Sequence, residues 1–130
     1  MSETKITLND VKEFVYAAHG NLDAVKQMVA AKPDLLLRAN GNETAMGAAC
    51  QMKRRQIVEF LLEQGVPLDL YAACVLGQTE QVAAFLDADP TLVNASYKAS
   101  HNKKPVTFAT EHPDVMALLL SRGAKPLKAD

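Results

Sequence analysis

The fold is decided by one stretch of the sequence, TAMGAACQMKRRQIVEFLLEQGVP, which runs from Thr44 to Pro67. Its first half is rich in small residues, and its second half carries apolar residues at the spacing of a helix. The basic segment Lys53-Arg54-Arg55 lies between them and is predicted to form a turn. Gly65 can end the second helix because glycine readily adopts a left-handed backbone. The stretch therefore predicts two short helices placed back to back.

The apolar stripe of the second helix occurs four times along the chain. Val58 aligns with Val25, Val82 and Met116, so the intervals between successive copies are 33, 24 and 34 residues. Repeats of this length are typical of solenoids, in which no single repeat can bury its apolar residues alone. We place the four repeats at about residues 9–39, 40–68, 69–95 and 96–126, within a single domain that covers residues 1–130.

This pattern resembles the ankyrin-repeat family, and most closely its short, degenerate bacterial members. Repeats of that family are about 33 residues long and open their first helix with the motif T-P-L-H-x-A. Thr44 and Ala49 match this motif, whereas Ala45 and Gly47 stand where the family has proline and histidine. The resemblance covers about residues 10–125. It implies an all-α solenoid of about four helix-turn-helix repeats with short hairpin-like fingers.

Two connections between repeats are predicted to form the fingers. The dipeptide Asn40-Gly41 is a strong signal for a tight hairpin turn, so we expect a hairpin between repeats one and two. Residues 94–104 form a longer irregular segment, which we interpret as a second finger carrying one tyrosine, one histidine and three lysines. The first helix is expected to begin at Asn9 or Asp10, either of which can act as an N-cap.

Composition narrows the class of function. The chain has 130 residues, 48% of them hydrophobic, and a formal net charge of −1. Without a basic excess, nucleic-acid binding is not expected. No apolar run approaches the roughly 20 residues of a membrane span. The first residues have no apolar signal core, so we expect a cytoplasmic protein that does not bind membranes.

No catalytic residue, metal site or cofactor is predicted, and the protein is expected not to be an enzyme. No two of its three histidines have the i, i+4 spacing of metal ligands on a helix. Cys50 and Cys74 fill the same small-residue position in successive first helices. We interpret both as buried free thiols, neither nucleophilic nor joined in a disulfide.

The resemblance implies binding at the concave side, which the fingers and the exposed parts of the first helices form. Carried over by position, the candidate partner-binding residues are Tyr16, His19, Asn40, Asn42, Gln51, Met52, Tyr71, Val75, Tyr97 and His101. Val75 and Met52 are equally compatible with a place in the core. The expected function is that of a monomeric protein–protein interaction module whose partner is another protein.

Two alternatives stay open. A small-molecule or nucleotide-binding protein would need a concave pocket with convergent polar groups. A structural subunit that self-associates through its open ends would be favoured by exposed valine and leucine in the fourth repeat.

Overall fold

The computed structural model describes residues 5–127, of which 64% are helical and a few form two short strands. The predicted all-α class is confirmed. Within these residues, no helix combines the length and the apolar character that crossing a membrane requires. The chain forms two compact parts: the first part holds residues 5–67 and Ala99–His101, and the second part holds residues 68–98 and 102–127.

Residues 5–127 contain eight α-helices. Their bounds are α1 Leu8–Ala17, α2 Leu22–Ala31, α3 Ala45–Gln51, α4 Arg55–Glu63, α5 Leu70–Leu76, α6 Thr79–Ala88, α7 Pro105–Phe108 and α8 Pro113–Ser121. Two strands, β1 (Ala39–Asn40) and β2 (Glu43–Thr44), lie between α2 and α3. Three short 3-10 helices cover Pro33–Leu37, Pro90–Asn94 and Lys98–Ser100.

In the first part, α1 packs against α2 and α3, and α2 packs against α4. Its core contains Phe14, Val25, Val58 and Leu61, whose side chains are fully buried. Helix α3 is almost entirely buried because its residues are small, so the neighbouring backbone can approach closely. The repeating apolar stripe thus forms the buried side of α2 and α4, as the sequence predicts.

The closest approach in the first part lies at Gly47. A Cβ atom at this position would be 1.8 Å from the carbonyl oxygen of Ala99. The segment Ala99–His101 therefore rests on α3 at a position that only glycine can fill. This close approach explains why the residue at position 47 is a glycine.

Helix α1 begins earlier than expected. Its N-cap is Thr7, whose side-chain oxygen accepts a hydrogen bond of 3.0 Å from the backbone N–H of Asp10. The Asp10 carboxylate in turn accepts from the backbone N–H of Thr7 at 2.9 Å. The prediction of Asn9 or Asp10 as N-cap is therefore wrong, because Asp10 closes a reciprocal capping box three residues inside the helix.

The predicted hairpin between repeats one and two is confirmed, with its loop shifted by one residue. Strands β1 and β2 pair antiparallel, with Ala39 opposite Thr44 and Asn40 opposite Glu43. The loop residues are therefore Gly41 and Asn42, and Gly41 has a φ of +64°. A positive φ at the first loop position suits a type II′ turn, in which glycine is preferred there.

In the second part, α5 packs against α6 and α7, and α6 packs against α8. The rings of Tyr71 and Tyr97 are stacked with centroids 4.0 Å apart, and both meet Phe108 edge-on. The predicted second finger differs from a simple projecting loop. An antiparallel bridge joins Tyr97 to Lys103 in the second part. Ser100 belongs to the first part and is fully buried.

Candidate functional site

Tyr16 is the most exposed aromatic side chain among the described residues. It lies in the last turn of α1 and is 81% exposed. Two open hollows, with volumes of about 520 and 370 Å³, share Glu13, Tyr16 and His19 among their lining residues. We call this region, with both hollows and the residues that line them, the Tyr16 surface.

The first hollow is formed entirely by α1, α2 and the turn between them. Its apolar lining comes from Ala17, Ala24 and Met28, which are buried or half-buried. Helix α2 is held in place by Asn21, whose side-chain oxygen accepts from the backbone N–H of Ala24 at 3.1 Å. Both helices therefore contribute to the apolar lining of this hollow.

The second hollow brings α1 and the hairpin together. It is lined by Lys12 and Val15 from α1 and by Asn40 and Glu43 from the hairpin, beside the residues shared with the first hollow. Asn40 is exposed, whereas the Glu43 side chain is only 15% exposed. The hairpin therefore presents one exposed amide and one largely covered carboxylate to this hollow.

Glu43 is the centre of a small polar cluster in the first part. Its Oε2 atom lies 3.1 Å from Nε2 of His19 and 3.3 Å from Nε2 of His101. Nδ1 of His19 also donates to the backbone carbonyl of Val15, at 2.9 Å. Both ring nitrogens of His19 thus face oxygen atoms. The cluster fixes the His19 ring at the shared edge of the two hollows.

Sequence reasoning missed Glu43. His19, Glu43 and His101 are far apart in the chain, and no motif links them. The hairpin register places Glu43 opposite Asn40, in the pair that closes the loop. Its contacts with the two histidines come from segments distant in the chain.

The other sequence-predicted residues of the first part lie elsewhere. Asn42 is exposed in the hairpin loop. Gln51 ends α3 with a buried Oε1 that accepts no hydrogen bond from a described residue. Met52 follows it and is 45% exposed. Among residues 5–127, neither Gln51 nor Met52 lines the hollows of the Tyr16 surface.

The predicted residues of the second part belong to its core. Tyr71 is 9% exposed, and its hydroxyl donates to the carbonyl of Ala95 at 2.9 Å. Val75 is 3% exposed, so it is a core residue and not part of a partner-binding surface. Tyr97 stacks on Tyr71, and its hydroxyl hydrogen-bonds to the carboxylate of Asp69. The prediction that Tyr71 and Val75 bind a partner is therefore corrected, because these side chains are already covered.

Burial also shifts the acid–base behaviour of this core. It raises the pKa of Asp69, the N-cap of α5, above 3.8. Burial, with a smaller contribution from the Asp69 charge, raises the pKa of Tyr71 and that of Cys74 to about 12 each. Cys50 and Cys74 are fully buried and are not joined in a disulfide, and the Cys74 thiol is fully protonated at neutral pH. In the described part of the chain, no group of three or more His, Cys, Asp or Glu side chains is arranged to hold a metal ion.

Comparison with known proteins does not assign the chain to a family. No protein-family model matches the sequence, and no curated protein is significantly similar to it.

Proposed function

We propose that this chain is a non-catalytic, ankyrin-type protein-binding module that binds its partner at the Tyr16 surface. The observation that carries the proposal is the 81% exposure of Tyr16 between two hollows. An exposed tyrosine is a strong candidate anchor because it buries a large rigid ring and keeps a hydroxyl for hydrogen bonding. The polar groups of His19, Asn40 and Glu43 would set specificity around this anchor.

The ankyrin-type assignment is supported by the arrangement of the elements. Consecutive helices pack as pairs, α1 with α2, α3 with α4, α5 with α6 and α7 with α8. A hairpin precedes the second pair, at the place where an ankyrin finger belongs. Cys50 and Cys74 are buried and form no disulfide, which is compatible with the cytoplasm, where we expect the module to work as a monomer.

A lysate experiment tests this function. The parent, a Tyr16→Ala variant and a Leu37→Ala control are immobilised, and proteins retained from the source organism are identified by mass spectrometry. Leu37 is a suitable control because it is 69% exposed but lines neither hollow of the Tyr16 surface. We expect one partner to be held by the parent and the control and lost by Tyr16→Ala. Equal retention by all three proteins would refute binding at this surface.

One observation favours self-association as a second candidate function. Helix α8 carries no charged residue between Asp114 and Arg122, and Ala117 and Leu120 on it are exposed. Exposed leucine in the fourth repeat is what a self-associating subunit requires. The molar mass in solution, measured by light scattering, separates the candidates: a monomer across the accessible concentration range excludes self-association.

A further inference from the structure

The first hollow of the Tyr16 surface combines an apolar lining with an exposed aromatic ring and a carboxylate. Ala17 is 6% exposed, and Ala24 and Met28 are half-buried, so these side chains form its floor. Glu13 and Tyr16 are exposed and form its rim. The volume of about 520 Å³ is sufficient for one or two side chains of a partner segment.

Charge distinguishes among the side chains that could enter. Of the eight residues that line this hollow, Glu13 is the one with a formal charge at neutral pH when histidine is neutral. Its Oε1 accepts from the side-chain amide of Asn9 at 3.1 Å, and it makes no ion pair with a described residue. A ligand that covered Glu13 without supplying a cation would leave a buried, uncompensated carboxylate, which is unfavourable.

The imidazole and guanidinium groups nearby make other contacts. Nε2 of His19 faces Glu43 at 3.1 Å, and Nε of Arg54 donates to the His19 carbonyl at 3.0 Å beside Gly20. Lys12 lines the second hollow and not the first. Next to an aromatic ring, the first hollow therefore offers a carboxylate that has no ion-pair partner among the described residues.

A lysine or arginine side chain has the chemistry that matches this combination. Its aliphatic stem covers apolar surface while its cation stays at the rim. There the cation can pair with a carboxylate and lie over an aromatic ring, an arrangement that is favourable within about 6 Å of the ring centroid. An acidic side chain would instead meet the charge of Glu13.

We propose that the first hollow binds a basic, amphipathic segment of the partner protein, with a lysine or arginine cation held between Glu13 and Tyr16. This inference rests on the proposed function and specifies the chemistry of the partner that it requires.

Two fluorescein-labelled peptides test it. Both have leucine at the same apolar positions of a 14-residue amphipathic helix, and the other positions are lysine in one and glutamate in the other. Binding to the full chain is followed by fluorescence anisotropy, and the site is located by amide chemical-shift changes in the ¹⁵N-labelled protein. We expect the lysine peptide to bind about tenfold more tightly than the glutamate peptide, with shifts at Ala17, Ala24 and Met28.

Two matched variants test whether the preference for the lysine peptide comes from the first hollow or from the net charge of the protein. Glu13→Gln should reduce the preference for the lysine peptide to less than about threefold. Glu111→Gln makes the same change in net charge at an exposed position of the second part and should leave the preference intact. Because Glu13 and Glu111 are both exposed, neither substitution is expected to change the thermal unfolding midpoint, which is measured as a control.

Two results would overturn the proposal. One is equal affinity of the two peptides for the hollow, which would refute the basic partner while leaving the Tyr16 surface as a binding site. The other is a lysine preference that survives Glu13→Gln or produces shifts outside α1 and α2. The lysate experiment with Tyr16→Ala is independent of both peptides, so its failure would count against the proposed function itself.

Discussion

Replacing Gly47 with alanine is expected to destabilise the protein, although the same change within a helix normally has the opposite effect. Alanine is favoured over glycine in a helix by about 0.5–1 kcal/mol because glycine loses more backbone freedom on folding. Gly47 lies in α3, so propensity alone predicts that Gly47→Ala increases the free energy of unfolding. The packing of α3 predicts instead that Gly47→Ala decreases the free energy of unfolding.

The size of the effect follows from three distances. The new Cβ would be 1.8 Å from the carbonyl oxygen of Ala99, 2.5 Å from its carbonyl carbon and 2.8 Å from its Cβ. Real Cβ atoms essentially never approach another heavy atom within 3.0 Å. The two nearest atoms belong to the backbone, so the whole segment Ala99–His101 must move away. Overpacking typically costs 1–3 kcal/mol, and we expect about 3 kcal/mol here because the backbone itself is displaced.

Urea unfolding followed by far-ultraviolet circular dichroism measures this free energy in the parent, in Gly47→Ala and in Gly47→Ala/Ala99→Gly. The double variant removes the Cβ of Ala99 but not its carbonyl, so it should recover only a small part of the lost stability. Unchanged or increased stability in Gly47→Ala would show that Ala99 does not rest on α3. Full recovery in the double variant would show that the side chain of Ala99, and not its backbone, sets the limit.

Three further substitutions test other parts of the fold. Asp69→Asn should increase the free energy of unfolding at pH 7. Because the pKa of Asp69 is raised above 3.8 in the folded protein, ionisation of this carboxyl opposes folding, so the gain in stability should disappear in urea titrations near pH 4. Lys53→Gly should stabilise by about 0.5–1 kcal/mol because Lys53 has a φ of +53°, and a melting temperature no higher than the parent's would contradict this. Ala48→Leu should cost about 1–3 kcal/mol at this fully buried position, and parent-like calorimetric melting would refute the packing of α3.

The helices could be predicted because their signals are local or periodic. The apolar stripe around Val58 and its copies locates α2, α4, α6 and α8, and all four are present. The predicted end of α4 at a glycine is also present. Gly65 has a φ of +104°, and the N–H of Val66 donates to the carbonyl of Leu61 at 3.0 Å. Such signals work because each of them satisfies backbone groups within one helix.

Tyr71 was wrongly predicted to be exposed because it is a tyrosine, whereas the repeat alignment itself places it in the core. Two exposed tyrosines in first helices were expected, yet the offset of 57 residues that aligns Gly20 with Gly77 pairs Tyr71 with Phe14. Phe14 is fully buried, and Tyr71 is 9% exposed. The same offset pairs Tyr16 with Ala73. The repeat itself therefore places Tyr71 in the core, where its hydroxyl has a backbone acceptor.

The residues around Glu43 could not be predicted because they depend on contacts between distant segments. Two conditions accompany these contacts: the backbone of Ala99, two residues before His101, rests on Gly47, and the hairpin loop begins at Gly41, so that Glu43 opens β2. A hairpin one residue out of register turns its side chains to the opposite side. Neither condition is visible in the composition or spacing of the histidines.

The two hollows of the Tyr16 surface therefore differ in what they depend on. The first hollow is built by α1, α2 and their connecting turn, so it does not require the segment Ala99–His101. The second hollow contains Glu43, whose surroundings include His101. If the basic side chain of a partner binds in the first hollow, most of the affinity should persist when the segment Ala99–His101 is displaced. Recognition around Asn40 and Glu43 should then be the part of binding that is lost, because the carboxylate loses one of its two histidine neighbours.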